Sequence, residues 1–528
     1  MHRAGQAELP LDDKFVDALL RPQAFAHPVT RIDLEETHIS WVILTDNFVY
    51  KIKKPVVLDF LDFGDLEKRK FYCHEEIRLN KPWAPGLYLD VVPITLDEGQ
   101  PRFSGSGEVI DYAVRMSRFD TLMRLDKQLE QDLLTVDDLR ELATTIATRH
   151  SGASVVPPEQ RDRYIALARE FMWDNFAALE GFGDAAKLAA LKNWTDRELR
   201  RTGPILGQRF DDGFVRDCHG DLHLANLVRL PEGIATFDCI EFNTDFRHID
   251  VMCDIAFLIM DLVERQRRDL AAHFLNRYLE TTGDYDGVTV LSLFFVYRCL
   301  VRAKVAVIRS QERDDNNERA ADIEEADAYC DMAIRQIASR VPVLVIMHGL
   351  SGSGKTFVSG QLMAALPAIR VRSDVERKRM FEIDELGSSH SPVGQGIYTK
   401  DANDAVYARL FAVAASVLDS GHNVILDAAF LQMGVRSRAL NIARDRDCLS
   451  VIVDISVPEP VLRRRIIDRE RASTNVSEAG LDVLDHQIAT MERLSVEERP
   501  FVVECDNSVS CDVTMLASLI LARCEDQK

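Results

Sequence analysis

The sequence has no C-x-x-C pair, and its ten cysteines follow no regular spacing. Scattered thiols in a long chain are typical of a reducing compartment, so we expect a cytoplasmic protein without a disulfide framework. No run of apolar residues approaches the eighteen that a membrane-spanning helix needs, so we expect no membrane association. The first twenty residues lack the apolar core of a secretory signal, which agrees with a cytoplasmic location.

Basic residues are few relative to acidic ones. The chain has 64 Lys and Arg residues against 85 Asp and Glu residues, and its formal net charge is -21. This charge opposes binding to nucleic acid or to an anionic membrane surface, although it is compatible with a local basic pocket for phosphates. The apolar fraction of 46% and the length of 528 residues predict a soluble globular protein of roughly three to four domains.

The spacing of apolar residues predicts two regions of different architecture. In the first we expect strands at 38–53, 87–95 and 108–118, a helix at 66–81, helical tracts at 120–212 and 250–338, and a strand-loop-strand region at 214–240. In the second we expect helices alternating with strands at 341–347, 368–372, 423–427, 449–456 and 500–503. This alternation predicts a parallel α/β sheet, and we place a domain boundary near residue 338.

A polar loop motif lies near the middle of the chain. Residues 219–226 read His-Gly-Asp-Leu-His-Leu-Ala-Asn, and a second acid, Asp238, follows twelve residues after Asn226. An Asp with an Asn five positions later is the spacing of a kinase catalytic loop, in which the Asp accepts the proton of the attacking hydroxyl. On this interpretation Asp221 is the catalytic base, and Asn226 and Asp238 hold Mg²⁺. The alternative is a purely structural polar loop.

With Asp238, this motif resembles that of the aminoglycoside phosphotransferase and choline kinase group, which are relatives of the protein kinases. The resemblance implies a bilobal kinase-like fold, with an N-lobe at about 1–116 and a C-lobe at about 117–338. It implies ATP as the phosphate donor, with GTP as the alternative. The family name indicates a fold relative and is no evidence that this chain modifies antibiotics.

The same resemblance implies residues of the N-lobe that contact phosphate. Lys51, on a strand, corresponds to the phosphate-binding lysine, and Lys53 is the second candidate because it lies on the same face. The helix glutamate that pairs with this lysine is Glu75 or its neighbour Glu76, and Glu75 is the one included in the predicted site. The alternative for Lys51 is an exposed lysine on an edge strand.

Two histidines within the loop motif and two acids after it complete the predicted first site. His219 is counted with the catalytic residues as a brace of the loop, since a second general base beside Asp221 would be redundant. His223 has a structural or a functional role. Asp250 and Asp254 resemble the structural acids that hold the catalytic loop in this family.

A second phosphate motif lies more than a hundred residues later. Residues 349–356 read Gly-Leu-Ser-Gly-Ser-Gly-Lys-Thr and fit the Walker A pattern without a mismatch, between a predicted strand and a predicted helix. Lys355 is expected to bridge the phosphates, and Thr356 to bind Mg²⁺. The loop residues expected to cradle the phosphates are Gly349, Ser351, Gly352, Ser353 and Gly354.

Acidic and basic residues after the Walker motif resemble those of small P-loop kinases such as gluconate kinase, the zeta toxins and polynucleotide kinase. This resemblance implies that Asp374, at the end of the second strand, activates the accepting hydroxyl. Asp427, which ends the strand 423–427, is the Walker B candidate for the metal. Arg465 and Arg469 resemble lid arginines that reach the transferred phosphoryl group; the alternative is a solvated helix face.

The whole chain resembles a bacterial fusion of an aminoglycoside-phosphotransferase-like domain, at 1–338, with a P-loop ATP-binding domain, at 339–528. We expect a multidomain α+β and α/β protein that uses ATP and Mg²⁺ to phosphorylate a small sugar-like or amino-alcohol substrate. Two alternatives stay open: one domain is catalytic and the other regulatory, or the acceptor is a protein or an RNA end. The sequence predicts no oligomeric state.

Overall fold

A computed structural model describes residues 11–58, 61–384, 387, 395–472, 480–525 and 527. All predicted site residues fall within these ranges. None of the helices in the described part of the chain is both long enough and apolar enough to cross a membrane.

Seventeen strands are present in the described residues. In chain order they are β1 Asp33–Glu36, β2 Ser40–Leu44, β3 Phe48–Lys53, β4 Val57–Leu58, β5 Leu61–Asp62, β6 Tyr88–Asp97, β7 Gln100–Phe103, β8 Glu108–Ser117, β9 Val215–Asp217, β10 Leu227–Leu230, β11 Gly233–Thr236, β12 His248–Asp250, β13 Val343–His348, β14 Ala368–Arg372, β15 Asn423–Asp427, β16 Leu449–Ser456 and β17 Val502–Asp506.

The α-helices of the described residues also number seventeen. They are α1 Asp13–Leu19, α2 Leu66–Asn80, α3 Leu125–Glu130, α4 Val136–Gly152, α5 Arg161–Leu179, α6 Ala185–Asp211, α7 Val251–Glu264, α8 Arg268–Thr282, α9 Val288–Glu312, α10 Asn316–Ile337, α11 Lys355–Ala365, α12 Ser373–Met380, α13 Lys400–Asp419, α14 Met433–Arg444, α15 Glu459–Ala472, α16 Leu481–Thr490 and α17 Val513–Glu525.

The chain divides into two compact units. The first comprises residues 1–134, 153–167 and 209–258, and it contains an antiparallel sheet in the order β1-β2-β3-β8-β6-β7. Strand β3 lies between β2 and β8, where its Val49, Tyr50 and Ile52 side chains are buried. The helix α2 packs against β6 and β8, with Cys73 in the shared apolar core. A lysine on β3 can therefore face a glutamate on α2.

The second unit comprises residues 135–152, 168–208 and 259–528. Its five-stranded parallel sheet has the order β14-β15-β13-β16-β17. All six residues of β13 are buried, as expected for a central strand covered on both faces. The carboxyl ends of β13, β14 and β15 meet at one edge of the sheet, so the loops that follow these strands can build one site.

The predicted fold class is confirmed: a kinase-like α+β region precedes a parallel-sheet P-loop region. The predicted strands and the helix at 66–81 are present to within a few residues, whereas β1, β7 and the short pair β4–β5 were not predicted. The two compact units do not divide at residue 338, because α8, α9 and α10 share the second unit with the parallel sheet. The boundary near 338 stays a prediction about which segments fold alone.

Candidate active sites

The polar loop 218–226 follows β9 and is hydrogen-bonded to Asp254 of helix α7. The backbone N–H groups of His219 and Gly220 donate to the two carboxylate oxygens of Asp254, at 3.1 and 2.9 Å. Gly220 has a φ of +84°, and a Cβ there would lie 2.7 Å from the Phe246 carbonyl oxygen. The loop therefore needs glycine at this position. Asp254 has the structural role that the resemblance implies.

Asp250 anchors the start of the same helix. It is the last residue of β12, rather than a helix residue as expected, and its carboxylate accepts from the Met252 backbone N–H. It also forms a buried two-point ion pair with Arg209, at 2.7 and 2.8 Å. This pair supports the strand-to-helix turn from which Asp254 projects.

His219 is fully buried and braces the loop. Its Nε2 donates to the Phe237 carbonyl at 3.0 Å, and its Nδ1 accepts from the Asp221 backbone N–H at 3.3 Å. Burial lowers the pKa of the imidazole, although the nearby acids Asp254 and Asp221 oppose that effect. Both ring nitrogens are thus used by a neutral ring. These two hydrogen bonds fit the expected role of His219 as a brace of the loop, and its place among the catalytic residues stays a prediction.

Asp221 lies at the partly exposed tip of this loop. The Asn226 amide Nδ2 donates to its carboxylate Oδ2 at 2.8 Å and to its backbone oxygen at 3.0 Å. His223 Nε2 lies 3.3 Å from the same carboxylate oxygen. These contacts orient the carboxylate without burying it, as a base that meets an incoming hydroxyl requires.

Asp238 lies beside Asn226 because β10 and β11 form a hairpin. The Phe237 N–H donates to the Asn226 carbonyl at 3.0 Å, so the two predicted metal ligands are adjacent. Asp238 has a φ of +62°, a left-handed conformation that is uncommon outside glycine, and its N–H donates to the Tyr88 hydroxyl at 3.0 Å. The partly exposed carboxylate of Asp238 and the amide oxygen of Asn226 are ligand types that fit Mg²⁺, which prefers oxygen ligands.

Lys51 links helix α2 to Asp238 by two ion pairs. Its Nζ forms ion pairs with Asp238 and, at 2.9 Å, with Glu76. Burial opposes the charge on Lys51, but Asp238 and Glu76 outweigh it and raise the lysine pKa well above its usual value. Lys53 lies on the same face, as predicted, but it is fully buried between Glu76 and Glu241. Lys51 is therefore the lysine that reaches the candidate phosphate site.

Glu75 does not take part in this network, contrary to prediction. Its carboxylate pairs with Arg78 of the same helix, with Nη2 at 2.8 Å. Adjacent helical residues project about 100° apart, so only one of Glu75 and Glu76 can face β3. Glu76 faces it. Burial opposes its ionisation, but the charges of Lys51 and Lys53 lower its pKa to about 2.

We expect Glu76→Gln to disturb the first site and the neighbouring Glu75→Gln to have little effect. Removing Glu76 leaves two lysines with less counter-charge in the protein interior, which typically costs about 3–5 kcal/mol. The midpoint of thermal unfolding should fall by roughly 6–12 °C, while Glu75→Gln shifts it by about 1 °C or less. Differential scanning calorimetry measures both, and equal shifts would contradict the assignment.

The Walker loop follows β13 and leads into α11. Gly349, Gly352 and Gly354 all have positive φ, at +149°, +81° and +90°. A Cβ at Gly354 would lie 2.3 Å from the Asn507 amide, so this close approach requires glycine. The Ser351 N–H donates to Gln487 Oε1, and Ser353 is buried. The loop thus has the predicted tight, backbone-lined form.

Lys355 begins α11 and folds over the loop. Its Nζ donates to the carbonyls of Gly349 and Leu350, both at 2.8 Å. Burial lowers the lysine pKa to about 8, an effect that Asp427 opposes and Arg469 strengthens. The next residue, Thr356, is exposed at the start of the helix. About one turn later in the same helix, Ser359 donates from Oγ to the Asp427 carboxylate at 2.8 Å. The Thr356 hydroxyl and the Asp427 carboxylate are oxygen donors that fit Mg²⁺.

The affinity of the second site for ATP should fall as the pH rises above about 8. The phosphates of ATP favour the charged form of Lys355. Above a pH of about 8 much of the free protein has a neutral Lys355, which must take up a proton when ATP binds. The affinity for ATP therefore decreases as the pH rises. We expect roughly a tenfold loss of affinity between pH 8 and 9.5. Titration calorimetry measures this pH dependence in the Asp238→Ala variant, in which the first site should no longer bind ATP. In Lys355→Arg the charge persists over this range, so a slope that survives there would contradict the explanation.

A cavity of about 800 Å³ is lined by the Walker loop and by the start of helix α12. Asp374, in the first turn of α12, accepts from its neighbour's N–H, that of Val375, at 3.0 Å and from Arg372 Nη2 at 3.0 Å. Both its carboxylate oxygens are thereby oriented while the side chain still lines the cavity. The predicted residues that line this cavity are Ser351, Gly352, Gly354, Lys355, Thr356, Asp374, Asp427, Arg465 and Arg469.

The two predicted lid arginines differ in their surroundings. Arg469 lines the cavity, and its charge acts on Lys355, as expected for a phosphate-facing arginine. Arg465 also lines the cavity, but its Nη2 donates to the Asn507 carbonyl at 2.8 Å. Asn507 in turn donates to the Ser353 carbonyl at 2.8 Å. Arg465 therefore supports the Walker loop through Asn507, and its role as a nucleotide contact stays a prediction.

Several residues of these sites were not predicted from sequence. Ser359 has a sequence signal, since it lies three positions after Thr356 on the same helix face. Glu241, the buried partner of Lys53, also has a sequence signal, because it follows Asp238 by three residues. Asn507 has none, because its contact with Ser353 joins positions 154 residues apart.

Comparisons with known proteins match two segments of the chain. The phosphotransferase enzyme family matches residues 122–291, and a family described as an AAA domain matches residues 344–494. The uncharacterized protein Rv2004c of Mycobacterium tuberculosis is 29% identical over 467 residues, which cover 86% of this chain and 90% of that protein.

Two solved structures are each similar to a part of the chain. Choline kinase from Cryptosporidium parvum is 12% identical, with 61% of this chain and 97% of that chain covered and a TM-score of 0.36. A gluconokinase from Sinorhizobium meliloti is 21% identical, with 36% of this chain and 94% of that chain covered and a TM-score of 0.26.

The two family matches contain the two predicted motifs. Asp221, Asn226 and Asp238 lie within 122–291, and the Walker loop and Asp374 lie within 344–494. The resemblance stated from the sequence is confirmed. Residues 122–291 are thus similar to the phosphotransferase enzyme family and residues 344–494 to the AAA domain family, and these two similarities support a kinase.

Proposed function

We propose that this chain is an ATP-dependent kinase with two separate catalytic sites, each of which phosphorylates a hydroxyl of a small sugar-like or amino-alcohol substrate. The observation that carries the proposal is that each site has an oriented, accessible carboxylate on its acceptor side. Asp221 is held by Asn226, and Asp374 is held by Arg372. A module that only binds nucleotide has no need of such a carboxylate.

In the first site, Asp221 would align the acceptor hydroxyl and take its proton as the new bond to phosphorus forms. Lys51, which Glu76 holds in place, would neutralise charge on the phosphates of ATP. Asn226 and Asp238 would hold Mg²⁺, which when bound neutralises charge on the transferred phosphoryl group. The protein therefore contributes positioning and fixed charge rather than covalent chemistry.

In the second site, Lys355 would leave its two loop carbonyls and contact the phosphates of ATP. Thr356 and Asp427 would hold Mg²⁺, and Arg469 would face the transferred group. Asp374 would take the proton of the acceptor hydroxyl on the opposite side of the cavity. Adenosine and guanosine triphosphates share the phosphate chemistry on which these contacts depend, so GTP is the alternative donor.

Charge and thiol chemistry support the same assignment of partner and compartment. The net charge of -21 is unfavourable for an RNA acceptor, so we propose a small-molecule substrate. All ten cysteines, each within the described residues, are free thiols. A reducing, cytoplasmic setting is the one in which such thiols persist.

An acceptor screen tests the proposal. Wild type, Asp221→Asn and Asp374→Asn are each incubated with radiolabelled ATP and a panel of sugars, sugar acids and amino alcohols. We expect at least two phosphorylated products, of which each variant loses a different one. If a single variant lost every product, the other domain would be regulatory. Label found only on protein or on RNA ends would favour a macromolecular acceptor.

A further inference from the structure

Within the second unit, helix α8 contacts the edge strand of the parallel sheet. The Asn276 side chain donates from Nδ2 to the Ala368 carbonyl at 3.0 Å, and its Oδ1 accepts from the Arg370 N–H at 2.6 Å. The amide thus makes the two hydrogen bonds that a neighbouring strand would make, and it satisfies backbone groups at the edge of β14. Helix α8 belongs to the segment that matches the phosphotransferase family, whereas β14 belongs to the AAA-type match.

One turn after Asn276, Glu280 places a carboxylate against the same strand. Its side chain is only 4% exposed, and Oε1 accepts from Arg370 Nη2 at 2.6 Å and from Nε at 3.2 Å. Arg370 also donates from Nη1 to the Thr356 carbonyl at 3.2 Å. Glu280 is therefore linked through one guanidinium to the first turn of the Walker helix.

A second guanidinium links Glu280 to the acceptor side. Side chains two residues apart on a strand share a face, so Arg372 points toward α8 as Arg370 does. Arg372 Nη1 lies 3.8 Å from Glu280 Oε2, and its Nη2 lies 3.0 Å from Asp374 Oδ2. Arg372 is itself buried. Its charge thus lies between a carboxylate of α8 and the carboxylate that lines the cavity.

We propose that Glu280 is a positioning residue for the P-loop site, which holds Asp374 in place through Arg372. The acceptor side of the second site is then completed by a helix from the phosphotransferase-family segment. This inference rests on the proposed role of Asp374. It gives a physical reason why the two segments belong to one chain: the second site needs α8 even if the first site is silent.

The effect should be seen in the rate of transfer and not in nucleotide binding. Displacement of a catalytic group by about 1 Å can cost up to 10²-fold in rate, whereas the Walker loop itself is unchanged. Glu280→Gln keeps the shape of the side chain and a hydrogen-bond acceptor for Arg370, but it removes the charge that anchors Arg372. We expect kcat to fall about tenfold, with the KM for ATP within threefold.

The assay uses the full chain carrying Asp221→Asn, so that only the second site turns over. The acceptor is a hydroxyl compound that Asp221→Asn still phosphorylates in the acceptor screen, and the rate of ADP release in its presence is measured. The matched control is Glu376→Gln, since Glu376 is a buried carboxylate on α12 whose ion-pair partners are Arg379 and Arg409. Glu376→Gln should keep the rate within threefold. An equal loss in both variants would overturn the proposal, because it would indicate a general weakening of α12.

A double-mutant cycle separates positioning from a merely structural role. If Glu280 acts through Asp374, then Glu280→Gln should have no further effect on ADP release once Asp374→Asn is present. A tenfold loss in that background as well would overturn the positioning role but leave Asp374 as the base. If Asp374→Asn alone left the rate unchanged, the proposed base would be wrong and this inference with it.

A second variant keeps the test available if Glu280→Gln does not fold. Arg372→Gln removes the bridging guanidinium and leaves the Glu280–Arg370 pair intact. It should show the same fall in kcat and the same absence of a further effect in the Asp374→Asn background. Independent, multiplying effects of Arg372→Gln and Asp374→Asn would contradict a common pathway through Asp374.

Discussion

Replacing Asp221 with Asn is expected to lower phosphoryl transfer at the first site by about 10²–10⁴-fold, the usual cost of losing a general base. The reason is geometric, because Asp221 lies at the partly exposed tip of a loop whose other polar groups are engaged in holding it. Asn226, His219 and Asp254 fix the loop, and none of these contacts requires a negative charge on Asp221. The fold should therefore survive the substitution.

The binding of ATP should distinguish this effect from a general defect. In the proposed mechanism Asp221 acts on the acceptor, so the affinity for MgATP should stay within about threefold of wild type. Glu232→Gln, at the exposed turn between β10 and β11, controls for the loss of one negative charge. If Asp221→Asn kept half of the wild-type rate, the assignment of the catalytic loop would be wrong.

Asp374→Asn should lower transfer at the second site by a similar factor, about 10²–10⁴-fold, while nucleotide binding stays within about threefold. A P-loop enzyme that only hydrolyses ATP has no need of an acid at the end of its second strand, whereas a kinase for hydroxyl acceptors does. The carboxylate faces the same cavity as Lys355, so acceptor and donor groups can meet there.

The Lys355→Ala variant is the control that distinguishes a loss of transfer alone from a loss of both nucleotide binding and transfer. Lys355 contacts the Walker loop itself and should be needed for binding as well as for transfer, so that variant should lose both. Transfer and binding are measured on the same preparations, by product formation and by titration calorimetry. A normal transfer rate in Asp374→Asn would favour a plain ATPase at this site.

Features defined by local sequence could be predicted. The spacing of Asp221, Asn226 and Asp238 fixes a loop and the start of a hairpin, because all three lie within one short stretch of chain. The Walker loop is equally local, and the uninterrupted apolar strand before it indicated a central parallel strand. In both motifs the glycines have the positive φ values that the chemistry of a tight loop requires.

Features that depend on rotation or on distant contacts could not be predicted. Whether Glu75 or Glu76 faces β3 depends on the rotation of α2 about its own axis. An error of one residue in this rotation, about 100°, exchanges the two glutamates. The supporting role of Arg465 depends on Asn507, 42 residues away in the chain. The packing of α8 on β14 joins Asn276 to Ala368 across 92 residues, and nothing in either local sequence indicates it.

The number of nucleotides that one chain binds tests the central claim most directly. Equilibrium dialysis with Mg²⁺ and a non-hydrolysable ATP analogue should give about two bound nucleotides per chain. Asp238→Ala and Lys355→Ala should each leave about one, and the double variant should leave none. Two independent sites predict this pattern. A single bound nucleotide in the wild type, or the loss of both nucleotides in either single variant, would contradict it.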